Sequence, residues 1–131
     1  MDVREARSQD RPAIRDVARR SLQTSYSLTP SAINGAVEEW YDENRLKDML
    51  SDDDKLLLVA DTDGQVVAFT ESHRTDENTA ELLWLHVDPD YRGEGYGERL
   101  YEQTRDHLAD HGVTSIQARV LADNAGGNTF Y

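Results

Sequence analysis

The sequence has no cysteine anywhere in its 131 residues. That excludes a disulfide framework, and it excludes thiolate chemistry supplied by the protein. Lysine is almost as scarce: Lys47 and Lys55 are the only two, against twelve arginines. No apolar run approaches the ~20 residues that cross a bilayer, so no membrane partner is expected. The N-terminal stretch "MDVREARSQD" is charged and has no apolar signal core. Nothing in it points to export, and the expected location is cytoplasmic. Negative charge, by contrast, is plentiful: 26 acidic residues stand against 14 basic ones, a net of −12. Such a surface repels nucleic acid and anionic lipid, so neither is an expected partner. Scarce lysine with abundant aspartate fits a halophilic protein, whose self-repulsion is screened by dense salt. An ordinary acidic cytosolic protein fits the same composition. The length suits one domain over 1–131, with enough chain to bury a core.

Strand signals are clear. "KLLLVAD" (55–61) is followed by "TDG", a hairpin turn signal, and then by "QVVAFT" (65–70). "ELLWLHV" (81–87) is nearly all apolar, which predicts a strand covered on both faces. "SIQARVL" (115–121) is a fourth strand, and residues 2–6 form a weaker one. Helices fill the gaps. Ser8 can cap a first helix with Ile14, Val17, Ala18 and Leu22 on its apolar side. A second helical region runs from Ile33 to Leu50, with Val37, Trp40, Tyr41, Leu46 and Leu50 toward one side. A third carries Leu100, Tyr101, Thr104 and Leu108 on one face and ends at Gly112. The order β-α-α-β-β-β-α-β predicts an α/β (α+β) fold. Its central sheet is mixed and mostly antiparallel, with helices on both faces. The strands of the unit from 81 to 121 should run parallel.

Between the third apolar strand and the third helix stands "YRGEGYGERLYEQ" (91–103), with glycines at 93, 95 and 97. A tight turn there aims the unpaired N–H groups of the helix start at one point, with the positive end of the helix dipole behind them. Glycine permits positive φ and close approach of the backbone to a ligand. A Walker loop would need G-x-x-x-x-G-K-[ST], and the lysine is absent. A Rossmann fingerprint would need G-x-G-x-x-G, whereas this spacing is G-x-G-x-G after antiparallel strands. On spacing alone, a phosphate loop and a glycine-rich helix start with no ligand both stay open.

Arg92-Gly93-Glu94-Gly95-Tyr96-Gly97 also matches [RQ]-x-x-G-x-[GA]. That pattern resembles the acetyl-CoA pyrophosphate loop of the GNAT (Gcn5-related) N-acetyltransferases. "LLWLHVDPDYRGEGYGERLYE" resembles that family's fourth strand, loop and third helix, and "SQDRPAIRDVARRS" its first helix. "VLADNAGGNTFY" (120–131) is similar to its fifth strand and the opening of its last helix, N-x-x-A-x-x-F-Y, with Gly127 where alanine is usual. The resemblance covers nearly the whole chain. It implies an N-acetyltransferase in which an amine, from a small molecule or a peptide, attacks the acetyl thioester directly in a ternary complex.

Residue by residue, the resemblance implies cofactor contacts from Arg92, Gly93, Glu94, Gly95, Tyr96 and Gly97, mainly through backbone N–H groups. The arginine would add charge. It implies that Leu85, His86 and Val87 hold the pantetheine and acetyl carbonyl through their backbone, and that Asn124 contacts the pantetheine arm, with Asn128 one helical turn on. Glu81 stands where many members place a general base. It alternates in phase with Leu83, Leu85 and Val87; a solvated strand-start glutamate is the plain alternative. His86 and His73 are weaker candidates for the proton path. Tyr131 matches a tyrosine that protonates the thiolate in many members, a task within reach of a phenol. Tyr26, Trp40 and Tyr41 are candidates for the substrate wall, though aromatic residues on helices are more often core. No metal site is implied. The family normally continues past this tyrosine with two closing strands. Without them the expectations divide between a shortened chain, a naturally short protein and strands supplied by another subunit. An open sheet edge favours a homodimer. The alternative to an enzyme is a non-catalytic acyl-CoA-binding module, or an incomplete domain that needs a second chain.

Overall fold

The computed structural model describes residues 2–25 and 29–118. Among them are five strands: β1 (Asp2–Glu5), β2 (Lys55–Thr62), β3 (Gln65–Arg74), β4 (Thr79–Val87) and β5 (Ser115–Ala118). They form one sheet in sequence order. The first four pair antiparallel, and β4–β5 is parallel, as expected for a strand–helix–strand unit. Asp63 and Gly64 both take positive φ (53° and 84°), the geometry that lets a two-residue turn match strand twist. The Asp61 carboxylate locks that turn by accepting the Gly64 N–H at 2.9 Å.

Among the described residues four α-helices cover the sheet: α1 (Arg11–Ser25), α2 (Pro30–Tyr41), α3 (Glu43–Ser51) and α4 (Tyr96–Asp110). On one face, Ile14, Val17, Ala18 and Leu22 of α1 join Val37, Tyr41 and Leu46 over Leu57, Val59 and Phe69. On the other, Tyr96 and Leu100 of α4 pack on Leu58, Ala60, Ala68, Leu82 and Leu85. Fully burying each large aliphatic side chain contributes about 1.5–3 kcal/mol. None of the described helices is long and apolar enough to cross a membrane.

Three local features differ from the sequence expectation. Ser8 does not cap α1; it opens a 3₁₀ turn (Ser8–Asp10) ahead of it. The nearly buried Asp10 carboxylate anchors this corner, accepting the Arg7 N–H at 2.7 Å and two Arg4 N–H groups at 2.7 and 3.1 Å. Burial alone would raise the Asp10 carboxyl. Arg4 and the Arg7 N–H outweigh it and hold the group below the usual carboxylate range. Second, the region from Ile33 to Leu50 is two helices. Asp42 turns extended (φ −66°, ψ 163°), and its side chain caps α3 by accepting the Arg45 N–H at 2.8 Å. Third, Leu83 is the extra residue of a bulge in β4: Glu71 pairs with Trp84, but the next residue, Ser72, pairs with Leu82.

The bulge decides where β4 side chains go. Leu82 lies on the α4 side before it, and Leu85 and Val87 lie on that side after it. Trp84 packs with the α1–α3 core. Glu81 pairs with His73, two residues from Glu71 on β3, so it shares a face with Glu71 and Trp84. The in-phase alternation of Glu81 with Leu85 and Val87 is therefore broken, because one inserted residue inverts every side chain beyond it.

Candidate active site

The loop after β4 is fixed before it reaches its glycines. The Asp88 N–H bonds the Val67 carbonyl at 2.8 Å. The buried Asp88 carboxylate caps the short 3₁₀ turn Pro89–Tyr91 by accepting the Asp90 N–H at 3.0 Å. Arg20 of α1 reaches both acids, with Asp88 at 3.0 Å and Asp90 at 2.9 Å. From this anchor the chain enters Gly93 at φ +79° and Gly95 at φ +84°, left-handed conformations that an L side chain adopts only with strain.

Gly95 is the N-cap of α4, and among the described residues no side chain caps the helix; the Gly95 carbonyl accepts the Arg99 N–H at 3.1 Å. The first N–H groups of α4 are thus left for a ligand, with the helix dipole behind them. A Cβ placed on Gly93 or Gly95 would meet nothing within 4 Å. The backbone faces open space, as an anion-holding cradle requires. Glu94 is exposed between the two glycines. Tyr96 and Gly97 are buried. The Tyr96 ring turns into the core, where its hydroxyl lies 3.0 Å from Thr62 Oγ1 and its ring stands nearly perpendicular to that of Tyr91, with centroids 5.9 Å apart. Its side chain holds the loop down, and its backbone opens the helix.

Arg92 does not extend toward the cradle as a free charge. Its Nη2 donates to the Ser21 carbonyl and hydroxyl oxygens at 3.4 and 3.3 Å. The same hydroxyl lies 3.0 Å from His86 Nδ1. His86 is fully buried, stacked on Trp84 at 5.1 Å and close to Phe69 and Tyr41. Its Nε2 has no hydrogen-bond partner among the described residues. Burial, then the Arg92 charge, pushes its pKa down to about 3, so the imidazole is neutral. A ring packed this way is a poor proton carrier; what His86 can offer a ligand is its backbone.

Glu81 and His73 come together, with Oε2 and Nε2 3.7 Å apart. Tyr41, a candidate for the substrate wall, is fully buried core. Tyr26, Asn124, Asn128 and Tyr131, and the side chain of Trp40, lie outside the described residues. Sequence reasoning missed Arg20 and Ser21. Ser21 had a readable signal: it continues the stripe Ile14, Val17, Ala18 at helical spacing and places a hydroxyl on that buried side. Arg20 had none, since its partners lie 68 and 70 positions away.

An uncapped helix start behind left-handed glycines is a geometry that can receive an anion, and it names no family. The family follows from comparison: the model of the Acetyltransferase (GNAT) family matches residues 14–131. The chain belongs to the GNAT acetyltransferases. This family uses acetyl-CoA. The fold is similar to that of the PaiA N-acetyltransferase from Thermoplasma acidophilum, solved in complex with coenzyme A. The TM-score is 0.90 at 25% identity, covering 99% of this chain and 85% of that one. Among curated proteins, it is 32% identical over 120 residues to a mycothiol acetyltransferase of Kytococcus sedentarius, covering 91% of this chain and 36% of that protein. It is 33% identical over 69 residues to an L-2,4-diaminobutyric acid acetyltransferase of Nocardia farcinica, covering 51% and 36%. The chain thus spans about a third of the length of these curated relatives. The GNAT loop pattern falls on this loop, with Gly93 and Gly95 at its two left-handed positions.

Proposed function

We propose that this GNAT domain is an N-acetyltransferase acting on an amine acceptor, a small molecule or a peptide. The observation that carries this is the uncapped start of α4 behind Gly93 and Gly95, open where a Cβ would sit. The backbone of Gly93, Glu94, Gly95, Tyr96 and Gly97 would hold the pyrophosphate. Arg92 shapes the loop through Ser21 and adds long-range positive charge. Leu85, His86 and Val87 would offer backbone groups to the pantetheine arm, with Asn124 and Asn128 as further contacts. Acetyl-CoA, when bound, supplies an acetyl thioester that the amine attacks directly in a ternary complex.

Glu81 takes the amine proton, through water, as general base. Its position across from His73 supports this, because the imidazole orients the carboxylate. Tyr131 returns a proton to the departing thiolate. A thiol-release assay over a panel of amines, run in high salt, tests the reading. Release that depends on both acetyl-CoA and one amine class supports it. Acetyl-CoA binding without release for any amine supports the acyl-CoA-binding module instead. Pairing of two copies through a sheet edge belongs to the same proposal, and a light-scattering mass of one chain would refute it.

A further inference from the structure

A cavity of about 390 Å³ opens on the α1–α3 side of the sheet, lined by Arg45, Asp48 and Met49 of α3, Lys55 of β2, Glu71 of β3 and Trp84 of β4. The size is that of a small-molecule site. Its position follows from two features absent from the expected architecture. The break at Asp42 starts α3 as a helix of its own, and the β4 bulge turns Trp84 to this face, opposite Glu71. Trp84 directly precedes Leu85–Val87, the segment assigned above to the cofactor's arm.

Charge around the cavity is balanced and open. Arg45 and Lys55 supply two cations; Asp48 and Glu71 supply two carboxylates. No ion pair within 4.0 Å joins these four among the described residues. Glu71 is the least exposed of them. Its burial raises the carboxyl above the ordinary range, while Lys55, the Tyr41 phenol and Arg45 pull it back. Among the described residues the buried Tyr41 hydroxyl has no hydrogen-bond partner within 3.5 Å, yet Glu71 is near enough to raise its pKa further after burial itself. The cavity therefore holds separated charges of both signs beside an indole ring. A polyamine would meet two cations there, and a simple anion two carboxylates. A small molecule carrying both charges satisfies all four groups.

Resting on the acetyltransferase reading, we propose that this cavity is the acceptor site and that it selects an amine that also bears a carboxylate, as in an amino acid. Glu71, with Asp48, receives the ammonium end; Arg45 and Lys55 receive the carboxylate. Trp84 covers the aliphatic stem between them.

The test is a fluorescence titration in a Trp40→Phe background, which leaves Trp84 as the single tryptophan. L-lysine and its decarboxylated counterpart cadaverine are the probes. Calorimetry with acetyl-CoA runs on the same samples. Saturable L-lysine binding at least tenfold tighter than cadaverine is expected. The pair Arg45→Gln and Lys55→Gln should erase that ratio. Glu71→Gln, nearly isosteric, should weaken both probes tenfold or more, with acetyl-CoA affinity unchanged. Equal response to the two probes, or none to L-lysine while acetyl-CoA still binds, overturns this inference alone. Loss of acetyl-CoA binding in the parent protein instead counts against the reading on which it rests.

Discussion

Acidifying the protein from about pH 8 to about pH 5 is expected to cost about 2 kcal/mol of stability through His86 alone. The imidazole is fully buried among Trp84, Phe69 and Tyr41, with Arg92 nearby, and its pKa falls to about 3. In the unfolded chain the value returns to about 6.5. Folding thus holds the ring neutral, and the unfolded chain takes the proton first as the pH drops. The contribution is complete above about 6.5 and is lost progressively on the way down toward 3. At pH 5 the unfolded form is favoured about thirtyfold at this group, which converts to about 2 kcal/mol. Urea unfolding in high salt at each pH, on the wild type and on His86→Gln, isolates the contribution of this imidazole. The variant keeps a polar group facing Ser21 but cannot take up a proton. The difference between the two proteins should change by about 2 kcal/mol between the two pH values. Parallel pH profiles would refute the claim that burial keeps His86 neutral.

Other perturbations have separate readouts. Asp10→Asn should destabilise the fold by about 1–3 kcal/mol, measured by thermal unfolding, because Arg4 loses the nearer of its two charged partners and keeps only Asp61 at 3.1 Å. Since the Asp10 carboxyl is held below its ordinary value, its contribution is present above the unfolded pKa near 4 and is lost as the pH falls below it. Arg20→Ala removes the strap from α1 to Asp88 and Asp90, so acetyl-CoA affinity should fall several-fold by calorimetry with the far-UV spectrum unchanged. Glu81→Gln should lower kcat about 10²–10⁴-fold with unchanged acetyl-CoA affinity, and an unchanged kcat would remove Glu81 as the base.

Much of the fold was legible because local signals agreed with the tertiary outcome. "TDG" between two apolar runs marked the β2–β3 hairpin, and the Leu100–Thr104–Leu108 spacing marked the buried side of α4. The glycine loop, with its left-handed backbone and helix start, was legible because strand, turn and helix surround it in sequence. The β4 bulge was hidden by its own composition: a strand apolar on both faces shows no alternation from which an inserted residue could be noticed. The α2–α3 break was hidden by continuous helical propensity, although Asp42 is a capping residue in plain view. Glu71 escaped notice because β3 runs four residues beyond the apolar segment that ends at Thr70. Arg20 and Ser21 act across the fold on a loop about seventy residues away, a link no local pattern carries.

The central claim is that the Gly93–Gly97 backbone cradles the cofactor's pyrophosphate. Calorimetry with acetyl-CoA on the wild type, Gly95→Ala and Gly64→Ala tests it directly. Gly95 and Gly64 share φ +84°, and at both a Cβ meets nothing within 4 Å, so both variants bear the same backbone strain of about 1–2 kcal/mol. Only Gly95 lies at the start of α4; Gly64 lies in the β2–β3 turn. The account predicts micromolar binding by the wild type, at least a tenfold loss for Gly95→Ala, and none for Gly64→Ala. Absence of wild-type binding in salt that keeps the protein folded, or an equal effect of the two substitutions, would contradict it.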